Sequence, residues 1–136
     1  MGSQAMKITA DTNVLVRALV EDHAAQSKAA QLALRKAELV ALTIPTLCEL
    51  VWVLRGYKIR PGDIAEAIRG LLNSANVVVS RSTAEAGLAM LEAGGDFADG
   101  VIAYEGNWLG AGTFVSFDGK AVKLLEAGGL SALLLA

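Results

Sequence analysis

Short apolar segments alternate along this chain with longer segments in which apolar residues recur every three or four positions. The short segments have the length and pattern of buried or half-buried β-strands. The first ends at Asp11, where a turn follows, and the second is halted at Pro45. The pattern predicts four strands, in "MKITA", "LVALTIP", "NVVVS" and "TFVSF".

The longer segments have the 3.6-residue period of amphipathic helices. In the first of them Ala25, Ala29, Leu32 and Ala33 fall on one face. Ser82 and Glu85 have the spacing of a capping box, and "GG" at 94–95 is a typical helix stop. The pattern predicts six helices, at about 22–38, 46–57, 60–75, 82–95, 96–110 and 119–129.

Strands that alternate with helices indicate an α/β fold, here three layers (α/β/α) around a central parallel sheet. At 136 residues the chain has the size of one domain. We interpret "MGSQA" (residues 1–5) as a cloning remnant, and residues 6–136 as a single domain.

The amino-acid composition excludes several classes of protein and of catalytic site. Apolar residues make up 54% of the chain, yet no apolar run approaches the ~20 residues of a membrane helix, and no secretory signal is recognisable. We therefore expect a cytoplasmic protein. A single cysteine, Cys48, excludes an internal disulfide, and a single histidine, His23, excludes acid–base chemistry by two imidazoles. The net charge of −2 means that nucleic-acid binding would need a local basic patch.

Carboxylates are the remaining candidates, and two of them follow predicted strands directly. Asp11 comes after the first strand and Asp118 after the last. Ligand sites of open parallel sheets lie outside the carboxyl ends of the strands. These two aspartates are therefore predicted at the edge that carries the chemistry.

Each acid also has a simpler structural interpretation. Asp22 and Asp63 open helical segments as caps, and Asp11 suits a turn. Glu49 completes a capping box with Thr46 in "TLCE". Asp96 suits an N-cap, but Asp99 lies three residues on, where it shares the same face of the first turn.

Convergence of these acids would require a cation. Two carboxylates ~4 Å apart repel by about 4 kcal/mol at an effective dielectric near 20. Several in one pocket must either protonate or bind a cation. Because no imidazole or thiolate accompanies them, the all-oxygen set favours Mg²⁺ or Mn²⁺, which pair naturally with phosphates.

The motifs "DTNVLVRAL", "IPTLCELVWVL", "GGDFADGVIA" and "FVSFDGKAVKL" resemble, in this order, those of the PIN domain, specifically of VapC-type toxin ribonucleases. The resemblance runs from Met6 to about Leu125. It implies a compact α/β/α fold and an endoribonuclease that depends on one or two Mg²⁺ or Mn²⁺ ions. It also implies an antitoxin partner within a type II toxin–antitoxin system, and a homodimer.

The same resemblance implies roles for individual residues. The catalytic acids would be Asp11, Glu49, Asp96 and Asp118, and the metal ligands Asp11, Asp96, Asp99 and Asp118. Asp99 would be a ligand or an outer supporting group, with Asn13 and Ser116 as further polar support. Water would attack the scissile phosphorus in line and leave 5′-phosphate and 3′-hydroxyl ends.

Candidate RNA-binding groups are the basic residues near these motifs. Tyr57 is available to stack on a single-stranded base, whereas Trp52 and Trp108 fit core or dimer contacts better. Gly100 departs from the alanine usual in the family, at a cost in helix propensity of about 1 kcal/mol. The basic candidates are Arg17, Arg55, Lys58, Arg60 and Lys120.

Two other functions remain open. One is an inert PIN-like module that binds or dimerises through its apolar helices. The other is a phosphotransfer domain with Asp11 as acceptor, although Asn13 stands where the dehalogenase-type pattern wants a second aspartate. Metal titration and phosphoramidate labelling of Asp11 would separate these alternatives.

Overall fold

The computed structural model describes residues 6–136, which contain seven helices and five strands. Residues 1–5, which we interpret as a cloning remnant, lie outside the described residues. The chain divides into two compact units, one up to Ser80 and one from Arg81 to Ala136.

The first unit contains three strands and four helices. Its strands are parallel in the order β1-β2-β3, and Ile8 is paired with Val40 and Val40 with Val77. Helices connect the strands, as parallel pairing requires. The elements are β1 (Lys7–Thr9), α1 (Thr12–Leu19), α2 (Ala24–Lys36), β2 (Leu39–Leu42), α3 (Ile44–Gly56), α4 (Pro61–Leu72) and β3 (Val77–Val79).

The core of the first unit is aliphatic. The apolar stripes of its helices and the central strand β2 supply fully buried side chains, which stabilise each element by removing apolar surface from water. They include Leu15, Val40, Leu47, Leu50, Val51, Leu54, Ile64, Ile68 and Leu72, none more than 2% exposed.

Two helix starts of the first unit differ from the sequence prediction. The segment after Asp11, predicted as a turn, is helix α1, and Asp11 is its N-cap. Helix α3 begins at Ile44, two residues before the predicted start, with Thr43 as N-cap and Pro45 in the first turn. Proline lacks the N–H that a first-turn position leaves unpaired, so Pro45 opens this helix instead of merely ending the strand.

The second unit contains three helices and two strands. Strands β4 and β5 are parallel, with Phe114 opposite Ala132. Strand β5 was not predicted from the sequence. The elements are α5 (Arg81–Glu92), α6 (Phe97–Trp108), β4 (Thr113–Ser116), α7 (Gly119–Ala127) and β5 (Ser131–Leu134).

Helices α5 and α6 approach each other closely because glycines replace larger residues between them. A Cβ on Gly100 would lie 2.5 Å from the Ala86 carbonyl oxygen, and one on Gly87 would lie 2.6 Å from the fully buried ring of Phe97. At such separations the backbone would have to shift. Glycine at 100 is therefore required by the packing of α6 on α5, whereas the sequence indicated only a weaker helix.

The turn between α5 and α6 has the predicted glycine stop. Gly94 has φ +97, and the amides of Gly94 and Gly95 donate to the carbonyls of Leu91 and Met90. This is the usual way in which a left-handed residue closes the carbonyl end of a helix. The predicted capping box is wrong, since α5 begins at Arg81 and contains Ser82.

The α/β class predicted from the sequence is confirmed: helices alternate with parallel strands in both units. The core interpretation of the two tryptophans is wrong, because Trp52 is 78% and Trp108 is 76% exposed. Of the helices in residues 6–136, none is long and apolar enough to cross a bilayer.

Candidate functional site

Asp11 lies at the end of β1, as predicted, and opens helix α1. Its Oδ1 accepts a hydrogen bond of 2.8 Å from the Thr12 amide, and its side chain is exposed. The bond satisfies one of the amides that a helix start leaves unpaired. Asn13 is also exposed, on the first turn of α1.

Glu49 is on α3 and is exposed. The predicted capping box is wrong, because Thr43 and not Thr46 is the N-cap, and the Thr46 amide donates to the Thr43 hydroxyl. Glu49 therefore lies in the second turn, beyond reach of the cap. Its carboxylate has no structural role at the helix start.

Asp96 and Asp99 lie at the start of α6 in the second unit. Asp96 is the N-cap, as predicted, and its Oδ1 accepts from the Ala98 amide at 3.2 Å. Asp99 is in the first turn and is half-buried. Both carboxylates are favourably placed at the positive end of the helix dipole.

Asp118 occupies the equivalent place on the neighbouring helix of the same unit. It is the N-cap of α7, and its Oδ1 accepts from the amides of Lys120 at 3.0 Å and Ala121 at 3.2 Å. The Ser116 hydroxyl in turn accepts from the Asp118 amide at 2.9 Å. Ser116 therefore supports the backbone that carries Asp118.

The three aspartates of the second unit influence one another. The pKa of Asp99 is raised above its ordinary value, first by partial burial and then by the negative charges of Asp96 and Asp118. Within residues 6–136 none of the three has a salt-bridge partner. Helices α6 and α7 thus bring three mutually repelling carboxylates into electrostatic reach.

A complete metal cage is absent from the described part of the chain. Across residues 6–136, no three side chains of His, Cys, Asp or Glu are gathered closely enough to hold one ion. The three aspartates of the second unit therefore influence one another without forming a closed coordination shell.

The basic candidates differ in whether a carboxylate already engages them. Arg17 pairs with Asp22 at 2.9 Å, and Arg60 pairs with Asp63 at 3.2 Å. In the described residues no ion pair involves the three others, all exposed: Arg55, Lys58 and Lys120.

Asp22 and Asp63 are not the helix caps that the sequence indicated. His23 caps α2 through Nδ1, and Arg60 occupies the N-cap position of α4. Asp22 instead accepts from Arg17 and, at 3.2 Å, from the Tyr57 hydroxyl. A bridge between residues 35 positions apart leaves no local signal, so sequence reasoning missed it.

Thr12 is a second residue that sequence reasoning missed. Its hydroxyl is buried beside Asp11 and, of the buried side-chain polar atoms in residues 6–136, is the one without a hydrogen-bond partner. A buried hydroxyl without a partner is costly and marks a place where a water or ligand would be bound. No sequence pattern distinguishes it from an ordinary turn threonine.

The family model of the PIN domain matches residues 8–105 of the chain. The chain belongs to the PIN domain family. The matched segment includes Asp11, Glu49, Asp96 and Asp99 and ends before Asp118. No curated protein matches the chain.

PIN domains are generally nucleases and typically use divalent metal ions. The donor chemistry of this PIN domain fits such an ion. Every candidate ligand is a carboxylate, and the negative charges of Asp96 and Asp118, which after burial raise the pKa of Asp99, are charges that a bound cation would neutralise. The buried Thr12 hydroxyl adds a polar atom beside Asp11.

Proposed function

We propose that this PIN domain is an Mg²⁺- or Mn²⁺-dependent endoribonuclease that cleaves single-stranded regions of RNA. We further propose that residues 6–136 act as one domain, the cytoplasmic toxin of a type II toxin–antitoxin system. The observation that carries the nuclease proposal is the set Asp96, Asp99 and Asp118 in a PIN family member, where partial burial and then the charges of Asp96 and Asp118 raise the pKa of Asp99.

Asp11, Glu49, Asp96 and Asp118 are the proposed catalytic acids. One or two cations would be held by Asp11, Asp96, Asp99 and Asp118, with Asn13 and Ser116 as support. When bound, such a cation supplies Lewis-acid activation of water and neutralises charge on the phosphate. The hydrogen bonds to backbone amides already orient three of these carboxylates, on Asp11, Asp96 and Asp118.

Asp99 has a different proposed role from the capping acids. The pKa of Asp99 is raised, first by partial burial and then by the charges of Asp96 and Asp118, so this carboxyl keeps its proton to a higher pH than an ordinary aspartate does. Loss of that proton accompanies metal uptake, so we expect metal affinity to increase with pH.

Exposed basic groups are the proposed contacts to the RNA backbone. Arg55 and Lys58 lie at the end of α3, and Lys120 directly follows the Asp118–Gly119 turn. Their lack of ion-pair partners in the described residues leaves their charges available for phosphates. Arg60 would contribute if its ion pair with Asp63 were replaced by one with an RNA phosphate.

The proposed partners are a cognate antitoxin and a second copy of the chain. The exposed Trp52 and Trp108 are the type of side chain that dominates protein interfaces. We expect light scattering to show a homodimer. Of the variants Trp52→Ser and Trp108→Ser, the one that removes the interface side chain should be a monomer.

Incubation of the purified protein with total RNA tests the nuclease proposal. We expect new RNA ends with Mg²⁺ or Mn²⁺ and none with EDTA, and sequencing should recover 5′-phosphate and 3′-hydroxyl termini. Recovery of 2′,3′-cyclic phosphate ends would overturn the proposed attack by water.

A second candidate function is an inert PIN-like binding module, which the lack of a closed three-residue metal cage in residues 6–136 favours. Calorimetric titration with Mn²⁺ separates the two functions. Binding that disappears in an Asp96→Asn variant supports the nuclease, whereas absence of any binding to the wild-type protein supports the inert module.

A further inference from the structure

A groove of ≈ 500 Å³ lies between α1 and α2 in the first unit. None of the roles assigned above uses the groove as a whole. Its volume is within the range of small-ligand sites. It is lined by Asn13, Val14, Arg17, Gln26, Ala29, Ala30 and Ala33.

The groove has an apolar floor and a polar rim. The apolar part of the lining, which we call the floor, consists of Val14 and the small side chains of Ala29, Ala30 and Ala33 on α2. The rim consists of two amides and one guanidinium, from Asn13, Gln26 and Arg17. Proteins recognise unpaired bases through hydrogen bonds to the base edges, and the polar rim of this groove offers groups for such bonds.

Hydrogen bonds fix the orientation of the rim. Arg17 donates from Nε to Gln26 Oε1 at 2.7 Å and from Nη1 to Asp22 Oδ1 at 2.9 Å. Asp22 is held in turn by the Tyr57 hydroxyl. Arg17 Nη2 and Gln26 Nε2 are the nitrogens left to donate to a ligand.

The groove begins close to Asp11, one of the proposed catalytic acids. Asn13 is two residues after Asp11 on the same helix, and Arg17 is one turn further. With a rise of about 1.5 Å per residue, the rim extends from about 3 to about 9 Å along α1 from Asp11. That span suits a nucleotide adjacent to one whose phosphate lies at Asp11.

We propose that the α1–α2 groove binds one unpaired base of the RNA substrate, next to the scissile phosphate, with a preference for guanine. Arg17 and Gln26 line the groove and each keeps a nitrogen donor outside their mutual hydrogen bond, so a base edge bound by them must carry acceptors, and guanine presents two, N7 and O6, side by side. Asp22 is a positioning residue, because it holds Arg17 in place without touching the base. The proposal rests on RNA being the substrate.

Binding of short RNAs in EDTA tests the groove separately from catalysis. The probes are fluorescein-labelled UUGUU, UUAUU, UUCUU and UUUUU, with a fifth probe in which 7-deazaguanine replaces the guanine. We expect fluorescence anisotropy to show binding of UUGUU tighter by on the order of tenfold, a discrimination typical of paired hydrogen bonds to one base edge. The 7-deaza probe should lose most of the gain because it lacks the N7 acceptor.

Two variants locate the preference in the groove. Ala29→Leu fills the floor and should abolish the guanine preference. Ala24→Leu is the matched control, since Ala24 is exposed and lies about 140° around α2 from Ala29. Gln26→Glu keeps an acceptor for Arg17 but removes the amide donor, so the ratio between UUGUU and UUAUU should fall toward unity.

Equal affinity for all probes, or a guanine preference that survives Ala29→Leu, would overturn the groove assignment, even if the protein cleaves RNA. A guanine preference in a protein that cleaves no RNA would sustain the groove and reject the nuclease. A groove that instead receives a protein partner would leave RNA affinity unchanged in Ala29→Leu, which also counts against the proposal.

Discussion

The two compact units hold their acidic residues in opposite ways. In the first unit Glu38, Asp22 and Asp63 each pair with a basic side chain, namely Lys7, Arg17 and Arg60. In the second unit Asp96, Asp99 and Asp118 repel one another, and backbone amides at two helix starts hold two of them. Paired acids serve the fold, whereas clustered acids without partners are typical of a site that binds a cation.

The two units also differ in how their helices pack. Buried leucine and isoleucine side chains separate the helices of the first unit, and Gly70 on α4 has no neighbour within 4 Å of a would-be Cβ. In the second unit Gly87 and Gly100 allow α5 and α6 to touch almost at the backbone. Even one added methyl group at this contact would therefore disturb the packing of α6, the helix that carries Asp96 and Asp99.

The largest expected effect distinguishes clustered from paired acids. Asp96→Asn should reduce Mg²⁺-dependent RNA cleavage by at least about 100-fold, because even outer-sphere changes at metal sites cost about 10–100-fold. Glu38→Gln is the matched control, an acid-to-amide change at an exposed ion pair of the first unit. Equal activity of the two variants in a single-turnover assay would show that the clustered acids have no more catalytic importance than the paired ones.

Gly100→Ala tests the close packing of α6 on α5. We expect a loss of unfolding free energy of about 1–3 kcal/mol from overpacking, which exceeds the gain of about 1 kcal/mol in helix propensity. Gly70→Ala, where the new methyl meets nothing within 4 Å, should instead stabilise by up to about 1 kcal/mol. Urea unfolding of both variants measures the difference, and a stabilising Gly100→Ala would contradict this packing.

Asp99→Asn tests the electrostatics of the acidic set through pH. Because the folded pKa of Asp99 is raised above 3.8, ionisation of this group destabilises the fold as pH rises from 3.8 through the folded pKa. We therefore expect the variant to have a higher Tm than wild type at neutral pH in EDTA. The two proteins should converge at acidic pH, where both carry a neutral side chain.

Addition of Mn²⁺ extends the same experiment. The ion should raise the Tm of wild type more than that of Asp99→Asn, since it binds the charged form of the carboxyl. An Asp99→Asn protein that is less stable than wild type in EDTA at neutral pH would show that repulsion is not the dominant effect of this carboxylate.

The smallest expected effect is at the paired acids. Lys7 and Glu38 are 3.6 Å apart, and their side chains are 69% and 56% exposed. Such pairs contribute about 0–1 kcal/mol and weaken with salt. Glu38→Gln should therefore change the unfolding free energy by less than about 1 kcal/mol, with less change in 1 M NaCl, and a larger loss would show that the paired acids matter as much as the clustered ones.

The periodic helices and the fold class were predictable from the sequence, because apolar stripes determine both. Helix α1 was not, since "DTN" is typical of turns and its capping bond depends on how Asp11 meets the Thr12 amide. The start of α3 was misassigned because Thr43 and Thr46 are both plausible caps. For the acidic set, position at helix starts was predictable for Asp96, but the influence of Asp118 on Asp99 depends on tertiary structure.

The hydrogen bonds at the two helix starts limit how many ligand atoms the acids offer. Asp96 and Asp118 each use Oδ1 for backbone amides, which leaves Oδ2 as the oxygen without such a bond. As ligands they would bind in monodentate fashion, with rotamer entropy already lost during folding. An octahedral ion that receives single oxygens from such residues keeps several positions for water and for phosphate oxygens of the substrate. Phosphate oxygens of a bound RNA would complete the coordination shell. We therefore expect metal affinity to rise when RNA is present.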